Sequence, residues 1–296
     1  MMAPHAPVGM IGLGLMGTAL TARLIDAGIA VTGFDIDPAR CQVLRDIGGE
    51  AAGSAAEVMQ CRTIVVAVFD AKQIETLFSD LGPQKFTDAV MICTTTCAPT
   101  EILAIAKRAA RMALAFIEAP ISGTSAEVRD GSAMALIAGR TDAIEAAELV
   151  LNILCSRAVR VGQIGDAART KLAINLILQN NRAALAEGIA FAESMGLDGA
   201  TFLATARQSA AYSRVMDTKG EKMLRRDFAP QSHIAQTLKD AELILEEAAQ
   251  RQQHLPMTVI QVALLRAAIM RAGPEADSAA VIEAIRPSAN TSGAST

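Results

Sequence analysis

Histidine is scarce in this chain: its 296 residues include three, at positions 5, 233 and 254. That leaves few candidates for the side chain most often used to move protons near neutral pH. His5 stands close to the N-terminus, His254 precedes Leu255-Pro256 at a helix boundary, and His233 has no evident orienting partner. Cysteine is sparse as well. Cys41, Cys61, Cys93, Cys97 and Cys155 are odd in number and form no C-x-x-C pair, so they read as reduced, mostly buried thiols and not as a disulfide framework or a metal site. A large excess of either charge is also missing. The formal net charge is −4, so neither nucleic acid nor an anionic membrane is expected as a partner. The opening "MMAPHAPVGM" has no cationic region before an apolar stretch, so no signal peptide is expected. Gly9, Gly12, Gly14 and Gly17 break the first apolar stretch, and no uninterrupted apolar run of membrane length follows. These absences predict a soluble, cytoplasmic globular protein.

What is present suits a packed core. Hydrophobic residues make up 51% and charged residues 20%, and the length predicts two domains. In the first half, "VGMIGL" (8–13), "AVTGF" (30–34), "TIVVAVF" (63–69), "AVMICT" (89–94) and "ALAFIEA" (113–119) are bounded apolar runs of strand length. Helical stretches alternate with them at 16–27, 38–46, 54–60, 71–79 and 99–111. This pattern predicts a doubly wound, Rossmann-type parallel sheet covered on both faces. "AMALIAG" (133–139) and "RAVRVG" (157–162) are further strands around a helix at 141–154. After Gly165 no strand signal remains. Residues 166–195 read as one helix without proline, ended by Gly196, and further helices follow at 198–210, 212–225, 230–252, 256–272 and 276–285. The expected boundary is near 163, dividing a nucleotide-binding domain (1–163) from an all-α substrate and dimerisation domain (164–286). A small polar tail (287–296) is expected to fray.

"VGMIGLGLMGTAL" sets Gly12-x-Gly14-x-x-Gly17 directly after the first strand and at the start of the first helix. There the glycines allow a tight turn, a close approach of backbone to a pyrophosphate, and close helix–strand packing. The helix N-terminus adds free N–H groups and partial positive charge. Asp35 ends the second strand, where a carboxylate accepts from ribose hydroxyls and repels a 2′-phosphate. Ile36 and Asp37, the next residues, bring no Arg or Ser to welcome that phosphate. NAD is therefore favoured over NADP.

Oxidising an alcohol with such a cofactor requires a base for the hydroxyl proton. Lys171, in "RTKLAIN", is the stronger candidate over the histidines. Lysine ordinarily titrates near 10.4, so burial or a neighbouring positive charge must lower it for work near neutrality. Asn175 shares its face one turn on. Leu172, Ala173, Ile174, Leu176, Ile177 and Leu178 surround the pair, which argues for burial although a helical Lys/Asn pair is more often a solvated face. "EAPISGT" (118–124) follows a strand, and Ser122-Gly123 can offer a hydroxyl and bare N–H groups to a carboxylate. Locally, an ordinary Ser-Gly turn is an equal reading. In "CTTTCAPT" (93–100), Thr94 to Thr96 either line the nicotinamide or cap the next helix, where Thr100 is also available.

Taken in order, these segments resemble the β-hydroxyacid dehydrogenases, relatives of 6-phosphogluconate dehydrogenase, over nearly the whole chain. "TTTCAP" resembles their S-T-x-x-P segment, "APISG" their A-P-V-S-G loop, "GDAARTKLAIN" their G-x-x-x-x-x-K-x-x-N-N segment and "TLKDAEL" (237–243) their K-D-L motif. The resemblance implies a Rossmann domain, an all-α domain joined by a long shared helix, and homodimers or homotetramers. It implies Lys171 as the catalytic residue, with Ser122, Gly123, Thr124 and Asn175 toward the substrate. Gly12, Leu13, Gly14, Met16, Gly17, Asp35, Val68, Thr96 and Lys239 fall to the cofactor. No metal is implied.

Three positions depart from the family pattern. Thr124 replaces a glycine, Glu127-Val128 replaces Gly-Ala, and Ile174 stands where relatives carry Asn or His. The reaction type survives these changes while the usual substrates do not follow; Thr124, Glu127 and Arg129 are expected to shape the substrate's far side. The leading expectation is NAD-dependent oxidation of a small 3-hydroxy acid. The alternatives are an NADPH-dependent reductase of an aldehyde acid or imine, and a non-catalytic nucleotide-binding module.

Overall fold

The computed structural model describes residues 6–287, so His5 and residues 288–296 of the expected tail lie outside it. Residues up to Lys171 form one compact unit and those from Leu172 a second, the division falling inside a single helix.

The first unit is built on a sheet of nine strands: β1 (Val8–Ile11), β2 (Val31–Phe34), β3 (Glu50–Ala51), β4 (Thr63–Val66), β5 (Val90–Cys93), β6 (Ala115–Glu118), β7 (Ile121–Ser122), β8 (Met134–Gly139) and β9 (Arg157–Gly162). Their order is β3-β2-β1-β4-β5-β6-β8-β7, with β9 also paired to β8. From β3 to β6 every pairing is parallel. Successive residues along these strands point to opposite faces, as their pleat requires. Met10, Val65, Ile92 and Ile117 face one core. There they meet helices α1 (Leu15–Asp26) and α2 (Pro38–Asp46). Ile11, Ile64, Val66 and Met91 face the other core with α3 (Ala55–Val58), α4 (Ala71–Leu81) and α5 (Pro99–Arg111). The sheet is thus covered on both sides, as the unbroken apolar runs predict.

The sheet is not wholly parallel. β8 runs antiparallel to both β6 and β7. Only α6 (Ser125–Asp130) lies between β7 and β8, and so short a connection favours an antiparallel return over a parallel crossover. Pro120, which has no N–H to donate, separates β6 from β7, while its carbonyl accepts from Leu136 N at 3.0 Å. The expected helix at 141–154 breaks at Ala147 into α7 (Thr141–Ala146) and α8 (Glu148–Leu154).

α9 (Asp166–Ser194) is one uninterrupted helix of 29 residues. Gly165 precedes it at φ +96° and Gly196 follows it at φ +81°, left-handed positions that suit glycine. The second unit continues with α10 (Gly199–Arg207), α11 (Arg214–Arg225), α12 (Ile234–Gln250), α13 (Pro256–Ala272) and a 3-10 helix over Ser278–Ala284, in place of the last expected α-helix. Leu185 and Ile189 of α9 pack there with Leu203, Met223, Ala241, Leu265 and Val281. None of the described helices is long and apolar enough to cross a membrane.

Candidate active site

The carboxyl ends of the parallel strands gather most of the residues singled out in the first unit, the position where open α/β sheets bind ligands. Gly12 follows β1 at φ +89°, and a Cβ there would come within 2.5 Å of the Ala67 carbonyl oxygen and 3.0 Å of Val68 Cγ1. A Cβ on Gly17 would sit 1.9 Å from the Gly12 carbonyl oxygen. Protein packing therefore demands both glycines. Gly14 is different: a Cβ there would meet only Arg40 Nη1, at 3.7 Å, and its φ of −67° is open to any residue. Nothing within the chain calls for its smallness, and the space before it is open. Gly14 is also the N-cap of α1, and no side chain bonds that helix end, so the first-turn N–H groups remain available to an anion. The residues present fit a dinucleotide pyrophosphate.

Asp35 closes this turn. Its Oδ2 accepts from Leu13 N at 2.7 Å and its Oδ1 from Asp37 N at 2.9 Å, locking β2 to the glycine loop. Leu13 contributes through that N–H, its side chain being buried in the core, where the half-buried Met16 also packs. Arg40, in the first turn of α2, brings Nη1 to 3.5 Å from Asp35 Oδ2. Ile36 and Asp37 bring no cation to the acid, but Arg40, five residues past Asp35, does. Asp37 caps α2 by accepting from Ala39 N, and that turn swings Arg40 back over the acid.

The threonine run ties strand ends together. Thr95 Oγ1 donates to Val68 O at 3.1 Å and accepts from Val68 N at 3.2 Å, while Thr94 Oγ1 donates to Val66 O at 2.9 Å. Helix α5 is capped at Ala98, whose N–H donates to Glu101 Oε2, so none of these threonines is its cap. Thr96 is half-buried beside them.

Ser122 lies in β7 opposite Met134 and is half-buried. Gly123 follows at φ +152°, where a Cβ would approach Ala133 Cβ to 2.9 Å. Thr124 caps α6: its Oγ1 accepts from Glu127 N, and Glu127 Oε2 accepts from Thr124 N at 2.8 Å. The Thr-x-x-Glu spacing was the signal for this short helix. Arg129 is drawn to Asp26 at 2.8 Å. Glu118, just upstream, is almost wholly buried and accepts from the backbone at the start of α9.

Lys171 and Asn175 lie one turn apart on α9 and are both buried, at 6% and 5% exposure, so the solvated-face alternative does not hold. Asn175 Nδ2 donates to Asp240 Oδ2 at 2.9 Å, which fixes the amide. Lys239 Nζ stands 3.1 Å from Asp240 Oδ1, close enough for an ion pair but not aligned as a hydrogen bond. Gln179 Nε2 donates to Thr237 O at 3.2 Å one turn on. Asn175 and Gln179 of α9 thus both bond to the first turns of α12. His233, the N-cap of α12, is not unpartnered: its Nδ1 lies 2.8 Å from the Glu275 carbonyl oxygen.

Residues 7–164 match the family model for the NAD binding domain of 6-phosphogluconate dehydrogenase, and 165–285 that for NAD-binding of NADP-dependent 3-hydroxyisobutyrate dehydrogenase. The chain belongs to the β-hydroxyacid dehydrogenases. This β-hydroxyacid dehydrogenase is 27% identical to the 2-hydroxy-3-oxopropionate reductase of Escherichia coli (strain K12), covering 96% of this chain and 98% of that one. It is 28% identical to the L-threonate dehydrogenase of Cupriavidus necator, covering 93% and 94%. It shares the fold of the crystal structure of 3-hydroxyisobutyrate dehydrogenase from Salmonella typhimurium, with a TM-score of 0.85 at 24% identity over 94% of this chain and 99% of the other. This family member is an NAD(P)-dependent oxidoreductase, and hydroxy-acid oxidoreduction is the chemistry its relatives share.

Proposed function

We propose that the protein oxidises the hydroxyl of a small 3-hydroxy acid of the 3-hydroxyisobutyrate kind, with NAD as hydride acceptor and Lys171 as the proton carrier. The observation that carries this reading is a lysine only 6% exposed, one turn from an asparagine whose amide is pinned by a buried aspartate. Ammonium groups are not buried at that level without a partner or a task. The bound cofactor supplies hydride transfer. Lys171 takes the hydroxyl proton in oxidation and returns it in reduction, Asn175 Oδ1 orients that hydroxyl, and Ser122 with the Gly123 backbone holds the carboxylate. Gly12, Gly14 and Gly17 cradle the pyrophosphate, Asp35 takes the ribose hydroxyls, and Leu13, Met16, Val68, Thr96 and Lys239 complete the cofactor contacts. Thr124 shapes the substrate loop as the cap of α6.

The test is turnover of a hydroxy-acid panel (3-hydroxyisobutyrate, L-threonate, glycerate) with NAD+ at pH 8 to 9, followed as NADH absorbance. Lys171→Ala should lose about 10²- to 10⁴-fold in turnover, the usual worth of a positioned acid–base group, while NADH still binds. Near-normal turnover in that variant rejects the assignment.

One observation favours a second reading. Arg40 beside Asp35 gives a 2′-phosphate a cation to meet, which suits an NADPH-dependent reductase of an aldehyde acid or imine. The ratio of kcat/KM values for NADH and NADPH, with a semialdehyde and with an imine, separates the two. We also infer a cytoplasmic homo-oligomer, dimeric or tetrameric. Ile260, Ala263, Ala267 and Met270 leave an apolar stripe exposed along α13. Light scattering that reports a monomer refutes the oligomer.

A further inference from the structure

We propose that Glu118 is a positioning residue, its carboxylate clamping the end of β6 to the first turn of α9 and so setting where Lys171 stands relative to the Ser122-Gly123 loop. The proposal rests on the proton-carrying role of Lys171. Glu118 is 1% exposed, and its backbone is held inside the sheet, paired with Cys93 of β5 on one side and Ala138 of β8 on the other. Its Oε2 accepts from Gly165 N at 2.7 Å and its Oε1 from Ala168 N, with the Ala167 N–H also directed at the carboxylate. Lys171 follows Ala168 by three residues along α9, and Ser122 follows Glu118 by four along the chain. One side chain therefore joins the segment carrying the proton donor to the segment carrying the carboxylate grip.

Filling the space does not call for an acid there, although the N–H groups of Gly165, Ala167 and Ala168 call for an acceptor. An apolar side chain would fill the space without burying a charge, and burial pushes the Glu118 carboxyl above its usual range even though three backbone donors and the positive end of α9 oppose that shift. Both oxygens face N–H donors, so glutamine at this position would set its own NH2 against one of them, breaking a bond and pushing the helix start away. Displacement of reacting groups by ångström amounts lowers turnover by up to about 10²-fold.

The test compares Glu118→Gln, Glu118→Asp and Lys171→Ala with the parent. Competitive labelling of the seven lysines with acetic anhydride, read by mass spectrometry from pH 7 to 11, reports the surroundings of Lys171 without any substrate. Lys72 and Lys107, both exposed, serve as internal standards. In Glu118→Gln the labelling rate of Lys171 at pH 8 should change by about threefold or more, its environment having moved, while the standards do not change. With the hydroxy acid the parent turns over best, kcat should fall about 10- to 100-fold while the Kd for NADH stays within about twofold. Glu118→Asp keeps both acceptors on a shorter stem and should lie between the two; if Glu118→Gln does not fold, the same measurements on Glu118→Asp decide. A Lys171 profile that superimposes on the parent's, with a lowered Tm as the only change, overturns the proposal and leaves Glu118 a helix cap. Lys171→Ala distinguishes the two failures: normal turnover there removes the functional reading, whereas loss of turnover there with a silent Glu118→Gln removes only the clamp.

Discussion

Replacing Lys219 with methionine should unfold the second unit more easily, and by an amount that depends on pH in a fixed direction. Lys219 on α11 and Asp277 before the 3-10 helix are 2% and 0% exposed, with Nζ 2.8 Å from each carboxylate oxygen. Asp277 also accepts from Gln231 N and Ala279 N at 2.9 Å and from Ser232 N at 3.3 Å, so it fastens the approach to α12, the helix that carries Lys239 and Asp240. Methionine keeps most of the stem volume and removes only the charge. Stranding one partner of a buried pair costs about 3–5 kcal/mol. The three backbone donors and the nearby Arg182 charge still solvate Asp277, which puts the expected loss at the lower end, about 3 kcal/mol, or roughly 6–12 °C in Tm.

The sign follows from the titration of the pair. Burial pushes Lys219 down to about 8. Burial also works to raise Asp277, but attraction to Lys219 and the backbone donors outweigh it and hold the carboxyl below its usual range. In the parent, that depressed group stabilises the fold above its unfolded pKa of about 3.9 and the contribution is lost as pH falls through the native value. In the variant, burial acts without the lysine and raises the carboxyl, so the fold is penalised at neutral pH and relieved as Asp277 protonates. The gap between parent and variant should therefore be widest near pH 7 and shrink toward pH 4. Urea unfolding followed by circular dichroism at pH 4, 5.5 and 7 measures it. Lys219→Met/Asp277→Asn, which keeps an acceptor for the backbone, should recover more than half of the loss. A gap under about 1 kcal/mol at pH 7, or one that does not narrow with acid, refutes the reasoning.

Other consequences are simpler. Gly17→Ala would force a Cβ to 1.9 Å from the Gly12 carbonyl oxygen; the turn must open, and NADH affinity by fluorescence titration should fall by about 10²-fold or more. Thr95→Val removes both bonds to Val68 that tie β4 to β5 and should cost about 1–3 kcal/mol in urea unfolding, with two backbone groups left unpaired. Asp240→Ala frees the Asn175 amide, so turnover should fall about tenfold or more while Tm moves little, as read by steady-state kinetics beside calorimetry. Arg40→Ala should weaken NADPH more than NADH, and equal losses for both would remove the argument for a 2′-phosphate contact.

The strands of the parallel core were legible because each is buried on both faces, which leaves a continuous apolar run such as "TIVV" between helical stretches. β3 and β7, at two residues each, are too short to show any period. The long helix was legible because no proline interrupts it and glycines bound it at 165 and 196. Lys171 and Asn175 could be paired from their spacing alone, because a helix puts residues four apart on one face. Arg40 could not, since its approach to Asp35 depends on the cap that Asp37 places on α2. Nor could Asp240, 65 positions from the asparagine it holds.

By itself, then, the order of residues determined everything carried by local periodicity and by glycine's reach in φ and ψ: the alternating layers, the cradle at Gly12 to Gly17, and the lysine on its helix. Tertiary structure decided which polar groups meet. Glu118 found the start of α9, Asp277 found Lys219 and Asp240 found Asn175, because a buried charge must find its partners in space and leaves no period along the chain by which to find them.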